Sequence, residues 1–179
     1  MQAAFYVKQG PAREVLQVGE QPTPEPGPGE VRVHLKTSGA NPSDWKSRSG
    51  RTAPMSTPLI IPHSDGAGDI DRVGPGVTNR IGERVWVWNG QWRRPHGTAA
   101  EYIVLPSAQA VTLPEHIGYA EGACFGIPAL TALQAVRKAA QAAGVTLRSR
   151  PLTDIDDLEP QLAAMKSDGA TVLIIQHLH

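Results

Sequence analysis

The stretch Val31-Arg-Val-His-Leu-Lys36 decides the class of the fold. Val31, Val33 and Leu35 alternate with Arg32, His34 and Lys36, a period of two that puts apolar side chains on one face of a strand. A helix would repeat at three and four instead. Outward from here the alternation returns in Gly68-Asp-Ile-Asp-Arg-Val73 and Glu83-Arg-Val-Trp-Val-Trp88. Residues 3–7, 15–18, 99–105 and 110–113 add short apolar runs. Glycine and proline separate them, and Gln21-Pro-Thr-Pro-Glu-Pro-Gly-Pro-Gly29 excludes a helix. Short strands at this spacing predict a compact, barrel-like β domain.

The period changes near Ile117. Tyr119-Ala-Glu-Gly-Ala-Cys124 predicts a short helix, and Pro128 suits the first turn of a longer one. Leu130, Leu133, Val136 and Ala140 recur at helical spacing, and Gly144 is a natural stop. Beyond it, Val145-Thr-Leu-Arg-Ser-Arg150 predicts a strand, and Ile155, Leu158, Leu162 and Met165 mark an amphipathic helix. A cap at Asp156 makes a capping box with Glu159 and leaves Pro160 in the first turn. Thr171-Val-Leu-Ile-Ile175 is apolar on both faces, as a buried parallel strand requires. The expected fold class is therefore α+β: a β-barrel domain over residues 1–127, a connecting helix over 128–144, and a small βαβ unit over 145–179.

Bulk composition excludes several functions. Seventeen Lys and Arg balance seventeen Asp and Glu in 179 residues, with no basic run, so nucleic-acid binding is not expected. One cysteine forbids an internal disulfide or a cysteine-rich metal site. Residues 1–8 lack a secretory pattern and no segment is long enough to span a membrane. A cytoplasmic protein without a membrane partner is expected.

Six segments occur in a set order: Gly39-Ala-Asn-Pro-Ser-Asp-Trp-Lys46, Ile61-Pro-His-Ser-Asp-Gly-Ala-Gly68, Val73-Gly-Pro-Gly76, Ile81-Gly-Glu-Arg-Val85, Gly97-Thr-Ala-Ala-Glu-Tyr102 and Gly126-Ile-Pro-Ala-Leu-Thr-Ala132. Together they closely resemble the N-terminal, GroES-like domain of the quinone oxidoreductase (zeta-crystallin-like) branch of the medium-chain dehydrogenase/reductase family, over about residues 1–136. The resemblance implies zinc-independent hydride transfer from NADPH to a quinone, in which the protein aligns two flat rings and excludes water. In that family a Rossmann domain follows, with a glycine-rich turn at a helix N-terminus holding the pyrophosphate. Here Gly66-Ala-Gly68 and Gly74-Pro-Gly76 are the two Gly-x-Gly candidates, and both read as turns. Pro151-Leu-Thr-Asp-Ile-Asp-Asp157 would repel a phosphate. The text from about residue 135 to 175 instead resembles a fragment of an ABC-transporter substrate-binding protein. The expectation is a chain truncated before its cofactor domain and fused to an unrelated fragment, with oxidoreductase activity impaired or absent. The alternative is a non-catalytic interaction or assembly protein. In either case a two-stranded parallel sheet cannot bury both faces, so a homodimer through residues 145–179 is expected.

The resemblance places Asn41 and Thr131 at cofactor-binding positions, on the nicotinamide-ribose and carboxamide sides. Read from the residues alone, Asn41 is also a turn former before Pro42, and Thr131 a helix-interior threonine bonding its own backbone. Asp44 reads mainly as a backbone-orienting residue. Trp45, Trp88 and Trp92 are candidates to line a flat quinone cleft or to pack in the core. Lys46 stands where many quinone reductases carry tyrosine, and is the fourth substrate-side candidate. Where zinc dehydrogenases carry ligands this chain has Asn41, Ser43, His63 and Ser64, and a lone histidine holds no zinc. Cys124 is expected as a small buried hydrophobe, and His177 and His179 as a frayed end. No residue is assigned as catalytic.

Overall fold

The computed structural model describes residues 1–144. The βαβ unit and dimer surface expected over 145–179 lie outside the described residues. Met1–Val136 form one compact unit, which ends within the last helix. No helix among the described residues is long and apolar enough to cross a membrane.

A two-stranded sheet pairs β1 (Gln2–Phe5) antiparallel with β2 (Gln17–Glu20), with a single helical turn, α1 (Ala12–Val15), between them. The central strand β3 (Glu30–Gly39) is followed by α2 (Pro42–Arg48), β4 (Asp65–Val73), β5 (Arg84–Val87), β6 (Tyr102–Pro106), β7 (Ala110–Thr112) and α3 (Tyr119–Gly122). A kinked turn over Phe125–Ala129 leads into α4 (Leu130–Ala142). The larger sheet is five-stranded and antiparallel in the order β6-β3-β4-β5-β7, a mixed α/β architecture built on a curled half-barrel. Register shifts between β3 and β4 at Arg32/Val33 and Leu35/Thr37 supply the local bend that curling needs.

The period-two reading of β3 holds on its apolar side. Val31 and Val33 are fully buried, and with Ile70, Val85, Val87, Ile103, Leu105 and Ala110 they make the barrel core. The other side is less open than alternation suggests. Arg32 is 8% exposed because its guanidinium forks onto Asp71 (Nη2–O 2.7 Å, Nε–O 3.0 Å), while Nη1 reaches Glu25 at 2.9 Å. The fixed fork makes such a pairing feasible at low exposure.

Three expectations change. Gly66-Ala-Gly68 is not a turn but lies inside β4, where the backbone of Thr37 and His34 occupies the space a side chain would need. Glycine serves close strand approach there. Gly74-Pro-Gly76 is a turn, with Gly76 at φ +85°. Residues 15–18 are not one strand: Val15 ends α1 and is buried, whereas Val18 sits in β2, largely exposed. The segment after Asn41 is a helix, with Asn41 as N-cap at φ −119°, ψ 160° and Pro42 in the first turn.

Candidate active-site cleft

Where β3 ends and β4 begins, Gly39 pairs with Asp65. Asp65 is fully buried, and its carboxylate accepts from the Asn41 side-chain amide (2.7 Å) and from the backbone N–H of Ile127 (3.0 Å to each oxygen). Asp44, in the first turn of α2, reaches back to accept from the Asn41 backbone N–H at 2.6 Å. Burial pushes both carboxyls above their usual range, against the pull of these hydrogen bonds.

His63 holds a left-handed backbone at φ +75°, uncommon for a residue with a side chain. Its Nδ1 lies 2.9 Å from Ser38 Oγ, which lies 3.0 Å from Thr98 Oγ1, which donates to the carbonyl of Asp65 at 2.6 Å. A hydroxyl has one proton. Thr98 spends its proton on the carbonyl, so Ser38 must donate to Thr98, and His63 Nδ1–H must donate to Ser38. The chain fixes the neutral imidazole with its lone pair on Nε2. Burial lowers the His63 pKa, with Asp44 and Asp65 opposing.

Three of the clefts that border this network hold residues nominated from sequence. The largest, about 770 Å³, lies between α2 with the following loop and the 89–95 loop, and includes Asp44, Trp92 and Ile127. A second, about 400 Å³, includes Asn41, Asp44, Trp45 and His63. A third, about 280 Å³, is lined by Trp88, Asn89, Gly126, Ile127, Leu130, Thr131 and Gln134. Of the residues nominated from sequence, Trp88 and Thr131 therefore share one cleft, Asn41 and Trp45 share another, and Trp92 lies in the largest. Lys46 is exposed in the last turn of α2 and lines none of these three. Trp45 and Trp92 are not core residues: they are 41% and 63% exposed, each with a neighbouring guanidinium (Arg51, Arg93) near its ring.

The wall under the third cleft depends on Gly126, whose ψ of −111° breaks the helical path ahead of α4. A Cβ there would run into the Asp65 carboxylate. Pro128 thus belongs to the kinked turn and not to α4 itself. Cys124 is exposed, not buried: past the end of α3 it is Ala123 that takes the buried position. Asp65, Ser38 and Thr98 were not nominated from sequence. Asp65 lies inside a quoted motif, yet its partners are 24 and 62 residues away, so no local spacing marks it.

Among the described residues no group of three or more His, Cys, Asp or Glu side chains is placed to hold a metal ion. The third cleft offers neutral donors and acceptors (Asn89, Thr131, Gln134) beside apolar Trp88, Ile127 and Leu130. That donor set fits an uncharged carboxamide on a flat ring. The two Gly-x-Gly segments lie in β4 and in the turn after it, so neither forms a strand–turn–helix phosphate cradle.

Residues 27–115 match the alcohol dehydrogenase GroES-like domain. A trans-enoyl reductase (tazE) of Aspergillus terreus is 31% identical over 128 residues, which cover 67% of this chain and 42% of that protein. The chloroplast envelope quinone oxidoreductase homolog of Arabidopsis thaliana is 33% identical over 139 residues, 76% of this chain and 42% of that one. The native structure of mycobacterial Rv1454c complexed with NADPH superposes with a TM-score of 0.64 at 27% identity, covering 76% of this chain and 40% of that one. The chain thus carries a GroES-like domain whose homologues are quinone oxidoreductases and enoyl reductases of the medium-chain dehydrogenase/reductase family. It spans about two fifths of the length of these relatives.

Proposed function

We propose that residues 1–136 are the substrate-side part of an NADPH-dependent, zinc-independent reductase that passes hydride to a quinone or a conjugated enone. The observation that carries this is the joining of Trp88 and Thr131 in one small cleft beside the buried Asp65–Asn41–Ile127 network. Bound NADPH would supply the hydride. The chain's own part is positional: Thr131 and Gln134 hold the ring's carboxamide, while Trp88, Ile127 and Leu130 keep water from its face. Asn41 is the candidate for the ribose side; one of its amide hydrogens is already committed to Asp65, which fixes the orientation of the rest. The test is fluorescence titration of the full chain with NADPH, followed by NADPH oxidation with added naphthoquinone or enone. Saturable binding and acceptor-dependent turnover are expected, and Thr131→Val should weaken NADPH by about 2- to 10-fold, the worth of one hydrogen bond. No saturable binding up to roughly 5 mM NADPH, an affinity weaker than about 3 kcal/mol, would overturn the reading. A homodimer through residues 145–179 remains part of the proposal, and light scattering at micromolar concentration tests it.

A further inference from the structure

The largest cleft holds two guanidinium groups for which a neutral quinone gives no reason. Its titratable lining residues are Tyr6, Asp44, Arg93 and Arg94. Arg94 is half-buried, and Nη2 donates to the Asn89 carbonyl (3.1 Å) and to Gln109 Oε1 (2.6 Å). Gln109 is held in turn by the Trp88 carbonyl at 3.0 Å, so the guanidinium is braced, not loose. Both its acceptors are uncharged. Its Nε is enclosed and has no hydrogen-bond partner among the described residues. Burial works against its charge, with the more distant Glu30 partly offsetting that, but an arginine stays protonated. The ion pairs among the described residues use Arg32, Lys36, Arg72 and Arg80, and neither Arg93 nor Arg94.

Next to it, Arg93 occupies a left-handed conformation at φ +57°, and Asn89 another at +51°. Such a conformation costs little for asparagine and more for arginine. The loop brings Trp92, Arg93 and Arg94 to one side of the cleft. The lone acid of the lining, Asp44, already accepts from the Asn41 backbone N–H. The floor is apolar, with Tyr6, Met55 and Ile60.

We propose that this cleft selects a flat conjugated acceptor that carries a carboxylate, its anionic end docking on Arg94 with Arg93 beside it. Nη1 is the Arg94 nitrogen left for a ligand, since Nη2 is bonded and Nε enclosed; a carboxylate can accept from it in a charge-assisted hydrogen bond and gives Arg94 the countercharge its own partners lack. The assignment rests on the reductase reading for the word acceptor, but not for the binding itself.

The experiment measures binding to the full chain without NADPH, by quenching of tryptophan fluorescence. The probes are trans-cinnamate and trans-cinnamamide, alike in shape and different in charge. At low salt the carboxylate should bind about 10-fold more tightly, the scale of one charge-assisted hydrogen bond over a neutral one. Arg94→Gln should bring the two within about 2-fold, and Arg93→Gln should reduce the preference in part. About 0.5 M salt should also shrink it in the unmodified protein. Should Arg94→Gln fail to fold, the salt dependence and Arg93→Gln decide. Equal affinities in the unmodified protein, or a preference untouched by salt and by both substitutions, overturn the proposal. If neutral quinones are reduced with no preference for the anion, the inference fails and the reductase reading stands. If the anion binds through Arg94 but NADPH does not bind, the reverse holds.

Discussion

Replacing Asp65 by leucine should cost far more than replacing it by asparagine, although both remove the charge. Asp65 is fully buried and satisfies two donors from distant parts of the chain, the Asn41 amide at 2.7 Å and the Ile127 N–H at 3.0 Å. Leucine leaves both without a partner where water does not reach. Each orphaned donor costs about 1–3 kcal/mol, so the sum is about 2–6 kcal/mol. Removal of a carboxylate whose charged form is disfavoured by burial offsets part of this, which puts the net nearer the lower end. Asparagine offers a way out. Its oxygen can keep the Ile127 N–H, and its own amide can donate to Asn41 if that side chain turns over. The cost should then stay within about 1 kcal/mol.

Urea unfolding followed by tryptophan fluorescence reads both values, provided that the m-values match. The double variant Asn41→Leu/Asp65→Leu removes one orphan together with its acceptor, so it should be less damaging than the sum of its single changes. If Asp65→Leu lies within about 0.5 kcal/mol of the parent, or if asparagine is as harmful as leucine, the network is not what holds this corner.

Further outcomes follow from the same neighbourhood. Gly126→Ala should cost about 1–3 kcal/mol by overpacking against the Asp65 carboxylate, and the penalty should shrink in an Asp65→Ala background. His63 should appear by nitrogen NMR as the Nδ1–H tautomer near neutral pH, and Thr98→Val should release that preference. Its folded pKa lies below the ordinary 6.5, so its contribution to stability is present above 6.5 and is lost as pH falls through the lowered value. The raised carboxyls of Asp44 and Asp65 run the other way: their contribution is present below the ordinary 3.8 and is lost as pH rises through the raised values. His63→Asn tolerates the left-handed backbone and should remove the histidine part of the acid loss, seen as a flatter unfolding midpoint as pH falls below 6.5. Tyr119→Phe should cost about 1 kcal/mol, because its hydroxyl donates to Asp69 and accepts from Arg84 beneath α3.

Strands were legible from the chain because their signal is local. A period of two in six residues identifies β3 before any partner is known, and Val31 and Val33 are buried as that reading requires. The α2 helix was less legible because Asn-Pro serves a turn and a helix start equally well; what decides it is Asp44, three residues on, whose carboxylate closes the cap. Gly66 and Gly68 were misread because glycine marks both turns and tight strand contacts. Thr131 is nominated through a family pattern, and Trp88 as a flat apolar ring. The residues that hold their cleft in shape are not, since Asp65, Thr98 and Ser38 act through contacts of 24 to 62 residues in separation.

That distribution has a physical reason. A buried carboxylate gains little stability over a well-packed apolar group, because desolvation consumes most of what its hydrogen bonds return. An apolar group at position 65, however, exerts no directional pull on the Ile127 N–H or on the Asn41 amide. The carboxylate does both, and it binds three segments: the β4 start, the N-cap of α2, and the kink ahead of α4. The glycine at 126 is what lets that kink approach. Asp65 therefore acts less as a source of stability than as a geometric pin, setting where Ile127 lies in relation to Trp88 and Asp44. Stability and cofactor affinity should separate on this account. Asp65→Asn, which keeps the acceptor for Ile127, should preserve any NADPH binding by the third cleft, whereas a variant that folds but lacks that acceptor should lose it.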